Sequence, residues 1–227
     1  YIALALPFLV FALGWLKWYW AVVAIAATLA CVYLGSAIHK KNDDKKKVIL
    51  ETECQIEVKP VLIALVVMIA LIWVWQSGIG GFWAQSKDYP WRNAIYRDIV
   101  LRDWPVYYQV FDGALVYYIG FWLVPALFGK IALLCGANDV MAFQVASVAI
   151  FIWSVLLIII LFFLLITLLK ADTLKKQMFV ILGFIFFSGM DILGSIEPLG
   201  ANMYHLEWWA NDYQYSSFTT CLFCVFN

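Results

Sequence analysis

Residues 141–169, MAFQVASVAIFIWSVLLIIILFFLLITLL, run for 29 positions without one charged side chain. A helix crosses the apolar part of a bilayer in about 20 residues, so this stretch spans with room to tilt. The rest of the chain shares its character. Of 227 residues, 65% are hydrophobic, 18% aromatic and only 13% charged, whereas a soluble domain is nearer half apolar and a quarter charged. That balance excludes disorder, a coiled coil and an ordinary cytosolic enzyme. It implies an all-α, polytopic membrane bundle, because only helices and closed barrels satisfy their backbone in lipid. Fifteen Lys+Arg offset fifteen Asp+Glu, so nothing recommends nucleic acid as a partner. Membrane lipids are the expected surroundings.

Working outward, residues 1–16, 18–38, 60–80 and 177–196 are the further apolar stretches of spanning character. The first is no signal peptide, since no small-residue cleavage site follows and a second span comes at once. Residues 114–134 mix Tyr117, Tyr118, Trp122, Pro125 and Lys130, the composition of a membrane surface. Charge arbitrates. Lys40, Lys41, Lys45, Lys46, Lys47 and Lys59 make 39–59 a cytoplasmic loop. If 114–134 does not cross, Lys170, Lys175 and Lys176 join them, giving nine basic residues inside and six outside. If it crosses, the count is seven against eight. The first arrangement obeys the positive-inside rule, so 114–134 is read as re-entrant or interfacial.

The expected organisation is then an N-terminal membrane hairpin (1–38), the cytoplasmic loop (39–59) and a membrane module (60–196). That module carries an extracytoplasmic loop (81–140), and an extracytoplasmic tail (197–227) follows. The chain opens on Tyr1 and stops inside CLFCVFN, so it reads as a fragment of a longer polypeptide with a truncated tail. Five cysteines, an odd number, argue against a disulfide framework. Cys221 and Cys224 form a C-x-x-C, but no second pair or nearby His completes a metal site.

The loop 81–140 carries the chemistry. Asp88 stands at an N-cap position, Pro90 suits a first helical turn, and Trp104-Pro105 stops the helix. Trp91, Ile95 and Ile99 recur at i, i+4 and i+8 as one apolar stripe. Asp98 and Arg102 have ion-pair spacing. The pattern predicts an amphipathic helix of about four turns lying on the membrane.

SKDYPWRNAIYRD (86–98) is similar to the Asp-Pro-aromatic-Arg run after the first helix of oligosaccharyltransferases. PVYYQVFDGALVYYIGFWLVPALFGK (105–130) resembles the in-plane helix before the next span. Together they resemble the GT-C glycosyltransferases, which include protein O-mannosyltransferases, oligosaccharyltransferases and lipid A aminoarabinose transferases. The resemblance covers about residues 60–196 as topology and a dozen or so as motif. It departs from the family in three ways: a span precedes the loop module, Asp88 is followed by Tyr89 rather than paired as Asp-Glu, and only about five crossings are present.

What the resemblance implies is transfer of a sugar from a polyprenyl-phosphate-linked donor at the extracytoplasmic face of the plasma membrane. Asp88 is the implied general base and Arg92 and Arg97 the donors to the leaving phosphate. The plainer reading makes Asp88 a helix cap and the two arginines lipid-headgroup contacts.

Asp191 is an ionisable group inside the last span and, with Glu197, a secondary substrate-binding candidate. The tail packs His205, Glu207, Trp208, Trp209, Asp212 and Tyr213 together. Carboxylates and aromatic faces suit a sugar, and an interfacial aromatic belt explains the rings alone. His205, Glu207 and Asp212 are the alternative donors for a divalent metal, although their spacing matches no metal motif. Rival functions are a transporter or flippase of a lipid-linked or polar substrate and a non-catalytic assembly subunit.

Overall fold

The structure is a computed structural model and describes residues 2–49, 58–83, 85 and 89–185, with the side chains of 2 and 39–49 left aside. Those residues are mostly helical: α1 (Ile2–Trp15), α2 (Trp18–Ile49), α3 (Pro60–Gln76), α4 (Tyr89–Leu101), α5 (Gly120–Leu134), α6 (Asp139–Leu168) and α7 (Leu174–Ile185). One departure from an all-α fold is a small antiparallel hairpin, β1 (Tyr107–Tyr108) with β2 (Gly113–Ala114), registering Tyr107 on Ala114 and Tyr108 on Gly113. A four-residue loop, Gln109 to Asp112, turns it through one tight helical turn, and Asp112 closes that turn in the left-handed region at φ 47°.

Among the described residues, two helices are long and apolar enough to cross a membrane, the 18–38 part of α2 and the whole of α6. The expected five spans are met differently elsewhere. α1 has 14 residues and α3 has 17, about 21 and 26 Å at 1.5 Å per residue, short of a core about 30 Å thick. α7 is described only to Ile185. α2 does not stop at the apolar border but continues as helix into the Lys-rich segment as far as Ile49. Residues 114–134 form the hairpin's return and then α5, 15 residues long.

The chain divides into two compact units, Tyr1–Cys54 with Ile95–Ile150, and Gln55–Ala94 with Phe151–Asn227. In the first, α1 packs on α2 and α5. Trp104 organises the loop after α4: its ring lies 4.9 Å from that of Trp15 and its Nε1 donates to the Ile99 carbonyl at 2.8 Å. Lys130 reaches over the same ring at 5.1 Å and donates to the Arg102 carbonyl at 2.5 Å. Gly129 on α5 sits where backbones approach closely. A Cβ there would lie 2.6 Å from Val100 Cγ1 and 2.9 Å from the Ala142 carbonyl, so no larger residue fits without a shift of α6.

In the second unit, α3 begins with Pro60 at its first position and buries Leu62, Val66, Ala70, Trp73 and Val74. Trp73 stacks parallel on Phe162 of α6 at 6.0 Å, and Phe184 of α7 stands edge-on to both. The turn after α3 uses Gly78, Gly80 and Gly81, all with φ near +80°, a region glycine alone enters freely. Buried Tyr89 donates its hydroxyl to the Ser77 carbonyl, and Gln85 donates to the Gly78 carbonyl at 2.9 Å.

Candidate functional site

α4 forms where the sequence pattern put a helix, yet its buried side differs from the expected stripe. Trp91 is 77% exposed, while Tyr89, Tyr96, Ile99 and Val100 are buried. Trp91, Ile95 and Ile99 therefore do not share one buried face. The reason is polar: Tyr96 turns inward because its hydroxyl donates to the Ala146 carbonyl of α6 at 2.7 Å. A buried tyrosine needs such a partner, and burial pushes its hydroxyl pKa well up.

With Tyr96 inward, Arg97, Asp98 and Arg102 face a cavity of about 660 Å³, completed by Leu101, Asp139, Val140, Phe143 and Gln144. Its second wall is the start of α6, and the sequence CGAND explains why that start is here. Gly136, with φ 89°, ends α5, and Ala137 N–H donates back to the Ala132 carbonyl at 3.0 Å, a Schellman-type stop. Two residues later the Asn138 carboxamide oxygen accepts from Met141 N–H at 2.8 Å, an N-cap. Stop and start, packed into three residues, bring Asp139 to the cavity.

Asp98 is the fixed point of the wall. Arg102 Nε pairs with it at 3.2 Å across one helical turn, and the Tyr108 hydroxyl donates to its other oxygen at 2.8 Å. Tyr108 also carries the Arg102 guanidinium 5.5 Å from its ring centroid. Partial burial and the neighbouring Asp98 carboxylate push the Tyr108 hydroxyl up to about 12. Around neutral pH it is a donor, and the triangle Asp98–Arg102–Tyr108 is held together. Chemically, the cavity offers two guanidinium groups beside two carboxylates, with Leu101, Val140 and Phe143 as apolar lining. That suits an amphiphilic ligand with an anionic head.

Of the residues proposed from sequence, Arg97 lines this cavity. Arg92 is half-buried in the N-terminal half of α4 and is not among the lining residues. Asp88, Asp191, Glu197, His205, Glu207, Trp208, Trp209, Asp212, Tyr213 and the Cys221/Cys224 pair lie outside the described residues. No cluster of three or more His, Cys, Asp or Glu exists among the described residues. Tyr108, Asp139 and Gln144 were not singled out from sequence. The Gly-x-Asn stop-start was a legible signal for Asp139, whereas nothing local marks Tyr108 or Gln144. The chain matches no protein-family model, no curated protein and no solved structure.

Proposed function

We propose that the chain is an integral membrane glycosyltransferase of GT-C type, moving a sugar from a polyprenyl-phosphate-linked donor to an acceptor hydroxyl at the extracytoplasmic face of the plasma membrane. One observation supports this most: Arg97 and Arg102 share a cavity with two carboxylates and an apolar lining. A polyprenyl phosphate presents that combination of phosphate head and hydrocarbon tail. Planar guanidinium groups are suited to phosphate oxygens, whose negative charge grows as the glycosyl bond breaks.

In the proposed step the acceptor oxygen attacks the anomeric carbon while Asp88 takes its proton. The bond from that carbon to the phosphate oxygen breaks, and the polyprenyl phosphate departs with both electrons. Asp98 has a different part. Its carboxylate is engaged by Arg102 and Tyr108, so it positions Arg102 rather than receiving the proton. The transporter reading draws less support: the 18–38 part of α2 carries no charged residue and α6 only Asp139, at its first position.

The test uses membranes carrying the full chain, a lipid-linked labelled sugar and the label recovered in acceptor. Asp88→Asn keeps size and capping ability and is expected to insert normally while losing about 10²–10⁴-fold in transfer. Asp98→Asn is expected to raise the donor KM and leave kcat within a few-fold. Wild-type activity in Asp88→Asn removes this mechanism.

A further inference from the structure

The hairpin region presents apolar side chains to its surroundings. Val110, Phe111 and Val116 are 90%, 83% and 91% exposed, and the proposed transfer chemistry uses none of them. From Trp104 to Gly129 the chain carries one charged residue, Asp112, whose carboxylate accepts the Tyr107 hydroxyl. An apolar projection of this kind marks an interaction surface. We propose that its partner is the bilayer: Val110 and Phe111 at the hairpin tip, with Val116, are seated in lipid at the boundary between headgroups and acyl chains.

The position of the hairpin selects lipid over another protein. Trp15, whose ring lies against Trp104, stands three residues before α2 begins. Asp139, the first residue of α6, shares the larger cavity with Arg102. Arg102 also borders a smaller space of about 330 Å³ with the hairpin residues Tyr107 to Phe111, and Tyr108 is tied to Asp98. The hairpin is therefore rooted beside the starts of α2 and α6, the two helices of crossing character among the described residues. At those starts polar side chains give way to apolar ones. α2 follows the exposed Lys17 with exposed Trp18, Tyr19 and Trp20, the residue types of an interfacial belt. α6 passes from Asp139 directly to exposed Val140 and Met141 and carries no further charged residue through Leu168. The exposed apolar side chains of the hairpin continue the surface that these two helices offer to acyl chains.

Depth follows from the polar groups. Asp112 is acidic, Gln109 is an exposed amide, and strands of two residues pair few of the hairpin's backbone groups. In the hydrocarbon centre the remaining groups would go unsatisfied. At the boundary, water and lipid phosphates meet them while Val110 and Phe111 reach the first methylenes, about 5–10 Å in, as the apolar face of an interfacial helix does. Tyr107 and Tyr118, both exposed, combine an apolar ring with a hydroxyl and suit the same layer. The inference needs only that α2 and α6 cross the membrane, and it is independent of the transfer chemistry.

The experiment places a nitroxide on single cysteines in a Cys-free full chain, reconstituted in vesicles of phosphatidylcholine and phosphatidylglycerol. Collision with oxygen, which concentrates in lipid, is compared with collision with a water-soluble nickel chelate. The variants are Val110→Cys, Phe111→Cys and Val116→Cys, at positions so exposed that a new side chain displaces nothing. Leu156→Cys, exposed on α6, is the lipid control, and Thr173→Cys, exposed between α6 and α7, is the water control. All three hairpin labels are expected to give an oxygen-to-nickel ratio severalfold above that of the water control and below that of the lipid control. Ratios equal to the water control would return the hairpin to solvent and overturn the proposal. Immobilised labels shielded from both reagents would also overturn it, assigning the surface to a second copy of the chain or to its own residues 186–227. A water-like ratio at Leu156→Cys would overturn it together with the crossing of α6.

Discussion

Tyr108 donates its hydroxyl to Asp98 at 2.8 Å across ten residues of sequence, from a two-residue strand to the last turn of a helix. This bond joins the two halves of the candidate site. It orients the carboxylate that holds Arg102, and it seats the ring over which the guanidinium lies.

The bond predicts a coupling. Tyr108→Phe and Asp98→Asn are each expected to destabilise the unit modestly, because both partners are partly accessible. A double-mutant cycle on thermal unfolding in detergent should return a coupling of about 1 kcal/mol. Strict additivity would mean the bond does not form.

A pH dependence follows from the raised Tyr108 pKa, about 12 against an ordinary 10. Burial and Asp98 both favour the neutral hydroxyl, so folding favours the protonated form. The stabilisation is complete below pH 10 and is lost as pH rises from 10 towards 12. Difference titration of tyrosinate absorbance, wild type against Tyr108→Phe, should show the missing group titrating above the bulk tyrosines. In Asp98→Asn that group should titrate lower, but still above 10, since burial is the larger cause.

The close approach at Gly129 predicts a steep size dependence. Its Cβ direction points at Val100, the Ala142 carbonyl and Ala146 within 3.0 Å. A carbonyl cannot rotate away as a side-chain end can. Gly129→Ala is expected to cost about 1–3 kcal/mol and Gly129→Val more. Gly183→Ala, where nothing lies within 4 Å of the added carbon, should be neutral or gain about 0.5 kcal/mol. Thermal unfolding of the three variants checks the contrast.

Topology is predicted from charge. The lysines at 40–47 and 170–176 should both be cytoplasmic, with 114–134 not crossing. Single-Cys variants at Ser86, Thr173 and Ser216 on a Cys-free background, treated on intact cells with an impermeant thiol reagent, should label at 86 and 216 only. Labelling at Thr173 from outside would reverse the arrangement.

Much of the local structure could be read in advance. The helix between Pro90 and Trp104, the Asp98–Arg102 pair and the long apolar helix at 141–169 depend on short-range pattern, and they are present. The stripe through Trp91 was not legible correctly. Hydrophobic periodicity counts Tyr96 as neutral, yet a tyrosine with an acceptor in reach buries better than a tryptophan without one. The hairpin was missed because two-residue strands carry almost no periodic signal, and its four-residue loop, Gln109 to Asp112, holds no glycine or proline to mark it.

The sequence by itself determined which segments are apolar and which residue types are available to meet a phosphate. Those properties follow from composition and from contacts within one or two helical turns. Only the tertiary structure decided which of these residues meet. Arg97, Asp98 and Arg102 share a cavity with Asp139, some forty positions away, because Gly136 and Asn138 end one helix and begin the next within three residues. Arg102 becomes common to two cavities because Tyr108 folds back onto Asp98. Such meetings depend on long-range hydrogen bonds and on a glycine that lets helices approach, and no local periodicity encodes them.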